Sequence, residues 1–197
     1  MPKVIKRGKM GGGGRDVNLH KKGFEGIKKI AVIGGRPQAL AQAQCLRHFL
    51  MGTDIEVVVG LGKNSKFKAK AREMGFTEKS NTLGEMYKVI RESNLIILFI
   101  SDSGQGKDYK KIFKAIRPGS TLGFSHGFFR VDLDTIDKDL PENINVIGVW
   151  PKGRKDSVSG LYNMENEFYC SVVIEREDIN NGNATNIANA WARALYA

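Results

Sequence analysis

From Lys28 onward, short unbroken apolar runs alternate with longer stretches in which apolar residues return every three or four positions. Such runs suit strands covered on both faces, and the 3.6-residue return suits helices packed on one side. The pattern predicts strands at Ile30–Ile33, Ile55–Val59, Leu95–Ile100, Thr121–Phe124, Asn145–Val149 and Tyr169–Ile174. Between them it predicts helices near Gln38–Met51, Lys66–Met74, Leu83–Glu92, Asp108–Ile116 and Ala184–Leu195. Arg117-Pro118-Gly119 and Leu140-Pro141-Glu142 read as stops ahead of strands. Alternation of this kind is the mark of βαβ units, hence an α/β, doubly wound, mainly parallel sheet with helices on both faces. Ile187, Ala188, Trp191 and Leu195 share one helical face, which makes Trp191 a core anchor.

The first strand runs into Gly34-Gly35-Arg36-Pro37-Gln38-Ala39 and then a helix. In a Rossmann-type fold this turn carries the dinucleotide fingerprint GxGxxG, and here only the first glycine is kept. Arg36 stands where the second glycine would let the backbone approach a pyrophosphate, and Ala39 is an acceptable third residue. Pro37 removes one amide from the helix N-terminus. Two readings stay open: Arg36 pairs with phosphate directly and binding is rerouted, or the pocket has decayed and Arg36 faces solvent or a partner.

A longer series of residues is more specific. Arg15-Asp16, Phe24 through Gly34, Ala41-Gln42-Ala43-Gln44, Leu46-Arg47, Gly75-Phe76-Thr77-Glu78, Thr82 through Tyr87, Ile100-Ser101-Asp102, Tyr109 through Phe113, Leu122 through Phe128 and Pro151-Lys152-Gly153 occur in one order. Between Arg15 and Tyr162 this series resembles the amino-terminal NADPH-binding domain of ketol-acid reductoisomerase of the plant and algal plastid type. The resemblance implies conversion of acetohydroxy acids to dihydroxy acids by magnesium-dependent alkyl migration and NADPH reduction, in a cleft between this domain and a helical carboxy-terminal domain. That second domain supplies the magnesium carboxylates and has no counterpart in the sequence. Isomerisation is therefore not expected of this chain alone.

Positions carried over from the family are mixed. Gly34, Arg36, Gln38, Lys63, Ser65, Asp102 and Gln105 are the candidate cofactor contacts. Gly62 stands where the family grips the adenosine 2'-phosphate with an arginine, and Phe67 replaces a serine. Lys63, Lys66 and Lys68 offer point charges without bidentate geometry, while Lys66, Lys68, Lys70 and Arg72 equally make a solvated helix face. His126 and Lys152 match cleft positions. His126, just past a strand's carboxyl end, suits proton transfer or orientation, or is retained for turn geometry. Trp150 stands where the family carries a small residue, and an indole there fills nicotinamide space or meets another protein. Neither His20 nor His48 has a site partner visible in the sequence.

Charge alters the picture at one end only. Met1 to Lys29 holds nine Lys/Arg against Asp16 and Glu25, a surplus of +7 out of the chain's +10. With Gly11 to Gly14 in its middle, residues 1–24 read as a flexible basic extension on a single Rossmann-like domain, 25–197. Lys3, Lys6, Arg7, Lys9 and Arg15 are candidate contacts to an anionic surface, or merely a solvated tail or the remnant of a targeting segment. Cys45 and Cys170 form no metal or disulfide framework. The longest strongly apolar run, Leu95–Ile100, is too short to span a bilayer.

The leading expectation is thus a non-catalytic pseudoenzyme. It would be a structural subunit, with no cofactor, of a larger plastid complex such as a photosynthetic membrane assembly. The alternative is the NADP(H)-binding component of a reductoisomerase whose helical domain comes from another chain.

Overall fold

The computed structural model describes residues 3–9, 22–99, 102–125, 140–152, 169–178 and 182–195. Eight strands form one sheet: β1 (Lys3–Lys9), β2 (Lys29–Ile33), β3 (Glu56–Leu61), β4 (Leu83–Glu85), β5 (Leu95–Leu98), β6 (Thr121–Phe124), β7 (Asn145–Lys152) and β8 (Tyr169–Arg176). Their order is β1-β8-β7-β6-β5-β2-β3-β4. The six strands from β7 to β4 are parallel, and β8 and β1 add antiparallel strands at one edge. Among the described residues, five helices connect or flank them: α1 (Pro37–Phe49), α2 (Lys68–Glu73), α3 (Met86–Glu92), α4 (Asp102–Ala115) and α5 (Ala184–Ala194).

The parallel strands are apolar throughout because both sheet faces are covered. On one face Ile30, Val32, Val57, Val59, Leu95 and Ile97 pack into a core shared with α1 and α5. On the other, Ala31, Ile33, Ile96, Leu98, Leu122 and Phe124 pack with α3 and α4. Burying each of the Val, Leu, Ile and Phe side chains among these contributes roughly 1.5–3 kcal/mol, so the two-sided sheet dominates the fold's stability.

Two anchors hold helices in place, one against the sheet and one between α1 and the end of α2. Against β6, Cζ3 of Trp191 lies 2.8 Å from where a Cβ on Gly123 would stand, so the glycine makes room for the indole. Arg47 on α1 donates to the carbonyls of Gly75 and Met74 at 2.9 and 3.0 Å and lies over the Phe76 ring, 4.3 Å from its centroid. It thereby satisfies carbonyls at the end of α2 that have no intrahelical partner.

Three differences from the sequence expectations have physical reasons. Residues 1–24 were expected to be wholly flexible, yet Lys3–Lys9 pairs antiparallel with β8, with a register shift between Ile5 and Gly8 where Lys6 and Arg7 fall. A short basic strand with a bulge is a common way to finish a sheet edge, and its backbone hydrogen bonds do not require an apolar run. Helix α3 starts at Met86, because Leu83–Glu85 first pairs with β3 and Glu85 then caps the helix, its carboxylate accepting from Lys88 N at 3.0 Å. Helix α4 begins at Asp102, seven residues before its apolar pattern becomes visible at Tyr109, Ile112 and Phe113.

The tightness at Trp191 gives a direct test. Gly123→Ala is expected to lower stability by about 1–3 kcal/mol, as overpacked cores do. Urea unfolding should show a lower midpoint with an unchanged slope.

Candidate functional site

The strand order reverses between β2 and β5, and open α/β sheets bind ligands outside the strands' carboxyl ends at such a point. Here that crevice is formed by the turn after β2, the end of β5 at Phe99 and the residues closing β6. Gly34 takes φ 133°, and a Cβ there would stand 2.9 Å from the Phe99 carbonyl oxygen. Only glycine satisfies both the backbone angle and the approach. Its amide donates to Gly60 O at 3.2 Å, which pins the turn to β3.

Arg36 is the N-cap of α1, with extended backbone and no side-chain capping bond, and Pro37 follows at the first helical position. Arg36, Pro37 and Gln38 are exposed. The guanidinium is thus not used by the helix, and the amides of Gln38 and Ala39 belong to the first turn, whose donors have no intrahelical acceptor. A helix start of this kind, with a cation beside it, attracts an anion. Gly35 is buried because Phe67 from the β3–α2 loop packs on it so closely that a Cβ there would overlap the ring.

The lysine-rich loop is partly committed to itself. Lys68 Nζ donates to Lys63 O at 2.7 Å, and the Ser65 hydroxyl accepts from Phe67 N at 3.3 Å. Lys70 pairs with Glu73 at 3.0 Å, and Arg72 with Glu78 at 2.6 Å. Lys63 and Lys66 are exposed, and a Cβ on Gly62 would meet nothing within 4 Å. The loop therefore has open space at the position of the family's arginine and two exposed cations beside it.

Other predicted positions separate. Asp102 opens α4 beyond β5, and Gln105 lies one turn along it. Lys152 ends β7 in register with Tyr169. Trp150, expected as a partner contact, is half-buried and folded back over Gly148, and its Nε1 has no hydrogen-bond partner among the described residues. The i, i+2 spacing on one strand face and the absence of a Gly148 side chain allow this. Lys3, Lys6, Arg7 and Lys9 lie on the edge strand β1, whereas His126 and Arg15 lie outside the described residues. Sequence reasoning missed Ser125, which is buried just past β6 and bonded to Gln42 at 2.8 Å. Its signal was its place within Ser125-His126-Gly127 at a strand's carboxyl end.

An open cavity of about 920 Å³ lies at the opposite, amino end of the sheet, near Lys29, Asn94 and Arg117. Among the described residues, no group of three His, Cys, Asp or Glu could hold a metal ion, and no helix is long and apolar enough to cross a membrane.

The profile of the acetohydroxy acid isomeroreductase NADPH-binding domain matches residues 26–197. The chain belongs to the acetohydroxy acid isomeroreductase family. It is 44% identical over 190 residues to the chloroplastic ketol-acid reductoisomerase of Pisum sativum and 43% identical to that of Spinacia oleracea. In each case the match covers 93% of this chain and 32% of the relative, so the chain spans about a third of those proteins. Among solved structures it is similar to an NADH-preferring ketol-acid reductoisomerase from an uncultured archaeon, with TM-score 0.66 and 25% identity over 92% of this chain and 51% of that one. A prephenate dehydrogenase from Aquifex aeolicus, 14% identical with TM-score 0.57, shares the fold. The family match lends no support to the expectation that this domain has no cofactor.

The Arg72–Glu78 pair carries a pH signature. Hydrogen bonding from Arg72 first, then the backbone and nearby positive charge, hold the Glu78 carboxyl down at about 2. Because the folded value is depressed, the pair's contribution is present above the ordinary carboxylate range and is lost as pH falls toward about 2. A carbon-detected NMR titration should find Glu78 protonating near about 2, and Arg72→Gln should return it toward the usual range.

Proposed function

We propose that this domain binds a nicotinamide dinucleotide, NADPH or NADH, as the cofactor-binding part of a plastid ketol-acid reductoisomerase. The observation that carries the reading is the turn after β2. Gly34 keeps the close approach to Phe99, the first-turn amides of α1 face the crevice, and Arg36 stands beside them with no helix-capping role. The residues fit a pyrophosphate, with Arg36 and the amides of Gln38 and Ala39 in place of the usual glycine contacts. Lys63 and Lys66 are the cations available to a 2'-phosphate. Gly62 cannot hold it bidentately, so discrimination between NADPH and NADH is weak. The NADH-preferring character named for the archaeal neighbour agrees with a variable 2'-position in this family.

The dinucleotide, when bound, supplies hydride. This chain's own part is to orient it along the carboxyl ends of β2, β5 and β6 and to keep water from the covered side. The resemblance implies that the metal carboxylates come from a helical domain that the match does not cover, and that the substrate cleft lies between that domain and this one.

A second reading is favoured by Phe67 packing on Gly35, which narrows the turn, and by the basic strand β1 at the sheet edge. In it the domain is a structural, non-catalytic subunit of a larger plastid assembly, with β1 against an anionic face. Purification in a stable complex, together with failure to bind dinucleotide, would favour this reading over the first.

Calorimetric titration with NADPH and NADH separates them. The expected result is binding of both, with affinities within roughly tenfold, and a loss of about tenfold or more for Arg36→Glu as a charge-assisted contact becomes repulsive. No binding at millimolar dinucleotide would exclude the first reading. Gly62→Arg, which has room for its side chain, is expected to raise NADPH affinity over NADH by about tenfold.

A further inference from the structure

One buried polar group in the crevice has a hydrogen-bond direction fixed by chemistry alone. Ser125 is 4% exposed, Gln42 1% and Trp191 0%. Trp191 Nε1 lies 3.2 Å from Gln42 Oε1, and Gln42 Nε2 lies 2.8 Å from Ser125 Oγ. An indole N–H only donates, so the Gln42 atom facing it must be the carbonyl oxygen, and the amide –NH₂ must face Ser125. Ser125 Oγ therefore accepts from Gln42. Its own hydrogen must point elsewhere, and among the described residues Ser125 has no second hydrogen-bond partner. A buried donor left unmatched is unfavourable, which makes a ligand acceptor the natural complement.

The sheet order says which part of a ligand lies there. The loop after β3 lies on the adenosine side, the α1 N-terminus marks the pyrophosphate, and β5 and β6 lie across the switch point. Ser125 closes β6, so it lies under the other nucleoside. We infer that Ser125 is a directed hydrogen-bond donor to an oxygen acceptor on the nicotinamide nucleoside, its polarity set from the core by the Trp191–Gln42–Ser125 relay. This rests on the dinucleotide-binding reading above and adds a contact that the turn sequence does not reveal.

The test compares NADPH with 2',5'-ADP, which lacks the nicotinamide nucleoside, on the full 197-residue chain. Ser125→Ala should weaken NADPH about three- to tenfold, the range for one neutral hydrogen bond, and leave 2',5'-ADP unchanged. Ser125→Thr keeps the hydroxyl and should keep NADPH affinity. In Gln42→Glu the carboxylate accepts from both Trp191 and Ser125, which turns the serine proton away from the ligand. This variant should match Ser125→Ala for NADPH although it never touches the dinucleotide. Should Gln42→Glu fail to fold, the alanine and threonine variants decide the matter. Wild-type affinity for NADPH in Ser125→Ala, or equal loss for both ligands, overturns the relay alone. A wild-type chain that binds neither ligand overturns the dinucleotide reading and the relay with it.

Discussion

The seating of Trp191 on Gly123 is the contact on which the arrangement of this domain depends. The indole fills the space that a side chain on the central strand β6 would occupy, which brings α5 close against the sheet. Its Nε1–H then meets Gln42 on α1, so the last helix, the first helix and the middle of the sheet are joined at one buried point. A polar atom buried this deeply must be paired, and the pairing fixes the orientation of α1 as well as its position. Since the N-terminus of α1 is where the crevice begins, a packing constraint in the core sets the geometry at the crevice.

At that end two features pull in different directions. Gly34 preserves the close backbone approach on which dinucleotide turns rely, and Phe67 brings an aromatic ring onto the neighbouring Gly35. Arg36 and Pro37 leave the start of α1 with one amide fewer and an exposed side-chain cation beside it. The combination is coherent if the pyrophosphate is held more by charge and less by amide hydrogen bonds. On the proposed reading the exposed Lys63 and Lys66 would extend the same logic toward the adenosine, with point charges in place of a bidentate grip.

Much of the fold was legible because two-sided burial leaves unbroken apolar strands. Thr121–Phe124 matches its expected bounds, and Lys29–Ile33 and Tyr169–Arg176 differ from expectation only at one end. The missed elements are those that apolar pattern does not govern. Strand β1 is held by backbone pairing to β8, and β4 is three residues long and flows into the cap of α3. At the site, the altered turn could be read directly from Gly34 through Ala39. That Trp150 folds over Gly148 could not, because it depends on which residues share a strand face. The role of Gln42 was hidden for the same reason: its two partners lie 83 and 149 residues away.

The most direct measurement of the central claim is an amide NMR titration of the isotopically labelled chain with NADPH. Binding in the crevice predicts shifts at Gly34, Gly35, Arg36, Gln38, Ala39 and Ser125, with Gly26, Asn94 and Arg117 at the opposite cavity unchanged. Perturbations confined to that cavity, or none at all, would contradict it.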